Sequence, residues 1–98
     1  MLSSKARGRL AGIAQKRDCL IILGRAGASP ALTERLGVLL AQHELVKLRF
    51  GDFQESRREL ADALAQSTGS ELVTVIGKVA VFWKRNPDPE KRTIEIDA

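Results

Sequence analysis

The residues best equipped for chemistry in this chain are a glycine-flanked arginine and the helix start that follows it. In LGRAGASPAL, residues 23 to 32, Gly24 and Gly27 bracket Arg25 and Ala26. Glycine lets the backbone take positive φ or come close to a large ligand. Ser29 is a good N-cap and Pro30 suits the first helical position. Unpaired N–H groups at a helix start, beside a guanidinium, suit a phosphate. The same tetrapeptide also serves as an ordinary strand-to-helix turn, and alone it does not choose between the two.

The surrounding charge leans toward an anionic ligand. Between residues 1 and 27 stand Lys5, Arg7, Arg9, Lys16, Arg17 and Arg25 against a single acid, Asp18. The whole chain carries a formal net charge of +4, so the excess is concentrated in this first quarter. Nucleic acid is the first class of partner this fits, and a membrane surface the second. Further cations sit at Lys47 and Arg49 on one face of a strand, at Lys78 in a tight turn, and at Arg85. Lys47 and Arg49 either extend a basic surface or guard a sheet edge. In WKR, residues 83 to 85, Trp83 reads as a core residue and Arg85 as the better ligand contact.

Signals for catalysis are poor. His43 is the sole histidine, with Glu44 beside it, and no second histidine exists to share a metal. A histidine closing a helix is favoured by the dipole alone, so it reads as structural. Cys19 opens an apolar run and reads as a small hydrophobe. A lone cysteine also excludes an internal disulfide and points to a cytoplasmic protein. The acids are scattered, and no GxxxxGK[ST] signature accompanies the glycine loop. No enzyme, metal or cofactor is expected.

The elements that must position these residues follow from periodicity. The 98 residues make one domain, with a core over about 2–85 and a tail over 86–98. No apolar run approaches the ~20 residues needed to span a bilayer. Residues 4 to 16 predict a helix capped by Ser3, weakened by Gly8 and Gly12. CLIIL, residues 19 to 23, predicts a strand covered on both faces. A second helix is expected over Ala31 to Gln42 with a leucine stripe and Glu34 in its first turn. In ELVKLRF, Val46, Leu48 and Phe50 face a core while Lys47 and Arg49 face away. A third helix runs from Gln54 or Glu55 to Ser67 and stops at Gly69. ELVTVIGKVAVFW predicts a hairpin turning at Gly77 and Lys78 with glycine first. TIEI either adds an edge strand or lies along the surface. The order α-β-α-β-α-β-β predicts an α/β (α+β) fold, a mixed four-stranded sheet packed by three helices.

Four pieces of the chain together resemble the CRM domain (chloroplast RNA splicing and ribosome maturation) in its bacterial YhbY-type form. They are LSSKARGRLAGIA, LIILGRAG, QHELVKLRF and ELVTVIGKVAVFWKR, in that order from Leu2 to about Arg85. The chain departs from the family's pattern at Ala6, where glutamine is usual, at Arg25, where lysine is commoner, and at WKR, where tyrosine–arginine is usual. The resemblance implies a layout like the C-terminal domain of translation initiation factor three, with a KH-like GxxG loop. It also implies a non-catalytic protein that binds ribosomal RNA of large-subunit precursors during ribosome assembly. The RNA-contacting candidates are Lys5, Arg7, Arg9, Gly24, Arg25, Ala26, Gly27, Lys47, Arg49, Lys78 and Arg85. A monomer is expected. The competing expectations are a protein-interaction adaptor without RNA contact and, behind it, a small nucleotide enzyme.

Overall fold

The computed structural model describes residues 2–24, 29–51 and 56–94. Its elements, in chain order, are α1 (Ser4–Ala14), β1 (Ile21–Leu23), α2 (Pro30–His43), β2 (Leu45–Phe50), α3 (Arg57–Thr68), β3 (Glu71–Ile76) and β4 (Val79–Trp83). A short 3-10 turn follows at Pro89–Lys91. The strands form one mixed sheet in the order β1-β2-β4-β3. β1 and β2 run parallel around the α2 crossover, and β4 lies antiparallel between β2 and β3. The expected α+β fold, with three helices on a four-stranded sheet, is what the chain adopts.

Local chemistry sets the element ends. Ser3 Oγ accepts from the Ala6 N–H at 3.1 Å and opens α1, as its position predicts. Ser29 does the same for α2, accepting from Leu32 at 3.2 Å with Pro30 in the first turn. Gly69 ends α3 in the left-handed region at φ 67, which glycine enters without steric cost. Gly77 turns the β3–β4 hairpin at φ 55, and the following Lys78 has no positive φ, so glycine does stand first. Gly51 suits its place for a different reason. A Cβ there would meet the Leu23 carbonyl oxygen at 3.1 Å, and the Gly51 N–H donates to that oxygen at 3.0 Å.

The sheet buries its two faces unequally. On one face α2 and α3 pack Leu36, Leu40, Ala61 and Leu64 against Val46, Leu48, Phe50 and Phe82. On the other, α1 lays Ala6, Leu10 and Ala14 over Leu45, Val73, Val81 and Trp83. This second cluster sits toward one end of the sheet, where β2 begins and β4 finishes. One helix cannot cover four strands, and the far half of that face stays open.

Two expectations, on the cover of β1 and the place of Glu34, are corrected by this arrangement. The apolar run ending at Leu23 is not covered on both faces, because β1 is an edge strand whose Ile22 lies beyond α1 and is 66% exposed. Glu34 falls outside the first turn, since α2 begins one residue earlier at Pro30. The segment after Arg85 is fastened to the domain, with Ile94 buried in the α1 cluster. Ile94 forms no strand, and the rest of TIEI lies outside the described residues.

Candidate nucleic-acid interface

The predicted cations fall into distinct groups once the chain is folded. Lys5 and Arg9 are exposed on α1, and Lys16 is exposed in the turn that follows it. At 3.6 residues per turn Lys5 and Arg9 lie about 40° apart, but the helix ends at Ala14, so Lys16 falls outside the expected stripe. Arg7 does not join it. Its Nη1 donates to the carbonyls of Leu72 and Val73, the latter at 2.7 Å. The β-bulge between Leu72 and Thr74 breaks strand alternation, so two consecutive carbonyls can meet one guanidinium. Arg7 thereby clamps α1 to the edge strand β3.

A second cross-link ties the end of α1 to β2. Lys47 Nζ donates to the Arg17 carbonyl at 2.9 Å, and Arg17 Nη1 reaches the Leu45 carbonyl at 3.4 Å. Lys47 is accordingly half-buried, while Arg49, two residues on along the same face, is exposed. Lys47 lies between two grooves. One, of about 270 Å³, runs between α1 and the open half of the sheet and includes Ala11, Gln15, Thr74 and Ile76. The other, of about 400 Å³, lies on the β1 side with Lys16, Arg17, Leu20 and His43.

One end of the sheet gathers most of the remaining candidates. Gly24 leaves β1 there, Arg49 lies near the end of β2, and Lys78 occupies the hairpin turn. These are joined by backbone bonds, Gly51 N–H to Leu23 at 3.0 Å and Phe50 N–H to Lys78 at 2.7 Å. Arg57 at the start of α3 donates to the Gly77 carbonyl at 2.9 Å, holding the turn from below. Arg25, Ala26 and Gly27 lie outside the described residues. Arg85 stands at the opposite end, separated by the length of β4, about 15 Å for five residues. Its guanidinium lies 5.6 Å from the Trp83 ring centroid. Trp83 itself is buried, as expected, and its Nε1 finds no hydrogen-bond partner among the described residues.

Sequence reasoning weighed Glu44 only as a neighbour of His43 and missed its structural role. The residue closes α2 at φ 62, and its carboxylate is buried. Oε2 accepts from the Asn86 N–H at 2.8 Å, and Oε1 from the Thr93 N–H at 2.7 Å and from the Thr93 hydroxyl at 3.2 Å. Burial opposes ionisation, but the backbone donors Asn86, Thr93 and Ile94 outweigh it and hold the carboxyl below its ordinary value. This is a fastening for the C-terminal segment. Among the described residues, no three His, Cys, Asp or Glu side chains converge as a metal site. No helix among them is long and apolar enough to cross a membrane.

The basic first helix, the glycine exit from β1, the QHELVKLRF segment that contains β2 and the hairpin are the features on which the sequence resemblance rested. Comparison with known families agrees with them. The CRS1 / YhbY (CRM) domain matches residues 2–84. The chain belongs to the CRM family. A probable RNA-binding protein of Pseudomonas aeruginosa is 28% identical over 96 residues, covering 97% of this chain and 92% of that protein. A probable RNA-binding protein of Bacillus subtilis, YqeI, is 26% identical over 97 residues, 98% of this chain and 99% of its own length. An RNA-binding protein of Haemophilus influenzae is 26% identical over 84 residues, 85% of each chain. The solution structure of a hypothetical protein from Staphylococcus aureus superposes with a TM-score of 0.81 at 26% identity, covering 97% of this CRM chain and all of that one.

Proposed function

We infer that this CRM protein binds RNA, gripping backbone phosphates at the sheet end where Gly24, Arg49 and Lys78 meet. The observation that carries the reading is this gathering, by backbone hydrogen bonds, of the glycine loop's first residue and two strand-end cations in a chain of the CRM family. The names of three full-length relatives support RNA as the partner. Arg25, Ala26 and Gly27 complete the loop, and Lys5 and Arg9 offer a separate basic surface on the solvent side of α1. Arg7 and Lys47 act chiefly by fixing α1, and Arg85 offers a separate contact at the other end. In the finer reading the RNA is ribosomal, met in the cytoplasm on large-subunit precursors, and the protein acts as a monomer without catalysis.

Arg25→Glu tests the loop. Phosphate contacts carry little sequence information, so the variant should lose affinity similarly for every RNA tried. Filter binding to large-subunit rRNA fragments is the measurement, with a thermal melt to show an intact fold. Equal binding by the variant and its parent would reduce the loop to a turn. Crosslinking in cells, followed by sequencing of the bound RNA, tests the ribosomal assignment.

A further inference from the structure

The half of the sheet that α1 leaves open is not a neutral surface. Strand register puts Ile22, Arg49, Val79 and Ile76 side by side in one row across all four strands. Ile22 is 66% and Ile76 is 65% exposed, at the row's two ends. Strand spacing sets them about 14 Å apart, with Arg49 between them. The next row carries Lys47 and Thr74 around the buried Val81. These positions hold cations, aliphatics and a hydroxyl, and no carboxylate.

We propose that this open half-sheet is a platform for unpaired RNA bases, beginning two residues from Gly24, where β1 ends. The proposal rests on the RNA-binding reading above and adds a preference for single-stranded over duplex RNA. Exposed aliphatic side chains clustered on one face mark an interaction surface. Charge selects the occupant, because a face whose only charges are positive attracts a polyanion. An unstacked strand offers apolar base faces to Ile22, Val79 and Ile76 while its phosphates meet Arg49. A duplex hides those base faces inside the helix and presents only phosphate and sugar to so flat a surface.

The test compares two labelled probes, a single-stranded RNA of roughly 12 nucleotides and a blunt RNA duplex of roughly 16 base pairs. The variants are the double change Ile22→Ser with Ile76→Ser, and Arg49→Gln. All three side chains are exposed, so the fold should hold, as a thermal melt will show. The double variant should bind the single strand about tenfold more weakly, keep its salt slope and bind the duplex unchanged, since it loses apolar contact only. Arg49→Gln should flatten the single-strand salt slope by about 0.7. Unchanged single-strand affinity in the double variant overturns the platform while leaving RNA binding intact. If the parent binds neither probe, the underlying RNA-binding reading fails instead. Concentration-dependent dimerisation of the parent that the double variant abolishes, with RNA affinity unchanged, assigns the face to a second copy and overturns the proposal.

Discussion

Glu44 carries the most consequential single-residue chemistry in the fold. Its carboxylate gathers backbone donors from two separate stretches of the C-terminal segment, and no other buried acid occurs among the described residues. Glutamine in its place presents N–H groups where donors already point, so part of the cradle is lost. Glu44→Gln should cost about 2 kcal/mol at pH 7, within the range for a charge-assisted hydrogen bond. A carboxyl held below its ordinary value in the folded state stabilises the fold at pH above the unfolded pKa. That contribution disappears as pH falls through the lower, folded value. Urea unfolding of parent and variant should therefore show the largest gap near neutrality, narrowing below the ordinary value of 4.5. A gap that is constant from pH 7 to strongly acid conditions would refute the role. The signal for this residue in the sequence was thin: an acid between a helix end and a strand, whose partners lie more than forty positions away.

At the scale of elements, α1 combines two demands. Ala6, Leu10 and Ala14 dock it while Lys5 and Arg9 face solvent. Gly8 and Gly12 weaken it without serving its packing, for a Cβ at either position would meet nothing within 4 Å. Gly8→Ala and Gly12→Ala should each add about 1 kcal/mol through helix propensity. For a domain of this size each should raise the melting temperature by about 4–8 °C in a circular-dichroism melt. No gain would mean that docking, through Arg7 and the apolar stripe, already fixes the helix completely. The periodicity of α1 was legible because one face alone is buried. The exposed side of β1 was not, because an unbroken apolar run such as LIIL has no alternation to betray which residue faces open water.

For the whole molecule, the candidate contacts are spread over α1, one sheet end and the far end of β4. The stripe on α1 lies about 120–180° around the helix from Ala11 and Ala14, which border the open groove. One RNA cannot meet every predicted cation on a single flat surface. If about four phosphates are engaged at once, log affinity should fall against log salt with a slope near −3. A slope close to zero would argue against a phosphate grip altogether, and titration across a range of KCl concentrations reads it directly.

The amino-acid sequence by itself determined the element order, the caps at Ser3, Ser29 and Gly69, the glycine-first hairpin and the burial of Trp83. Each is a local preference, decided by a few neighbouring residues and the period of apolar positions. Only the tertiary structure decided that Arg7 clamps a bulged strand, that Glu44 fastens the C-terminal segment, and that Arg85 stands apart from Lys78. It alone showed half a sheet face left uncovered. Those outcomes depend on which strand lies beside which, and on how much of four strands a single eleven-residue helix can cover. Such long-range pairing leaves no trace in the spacing of nearby residues.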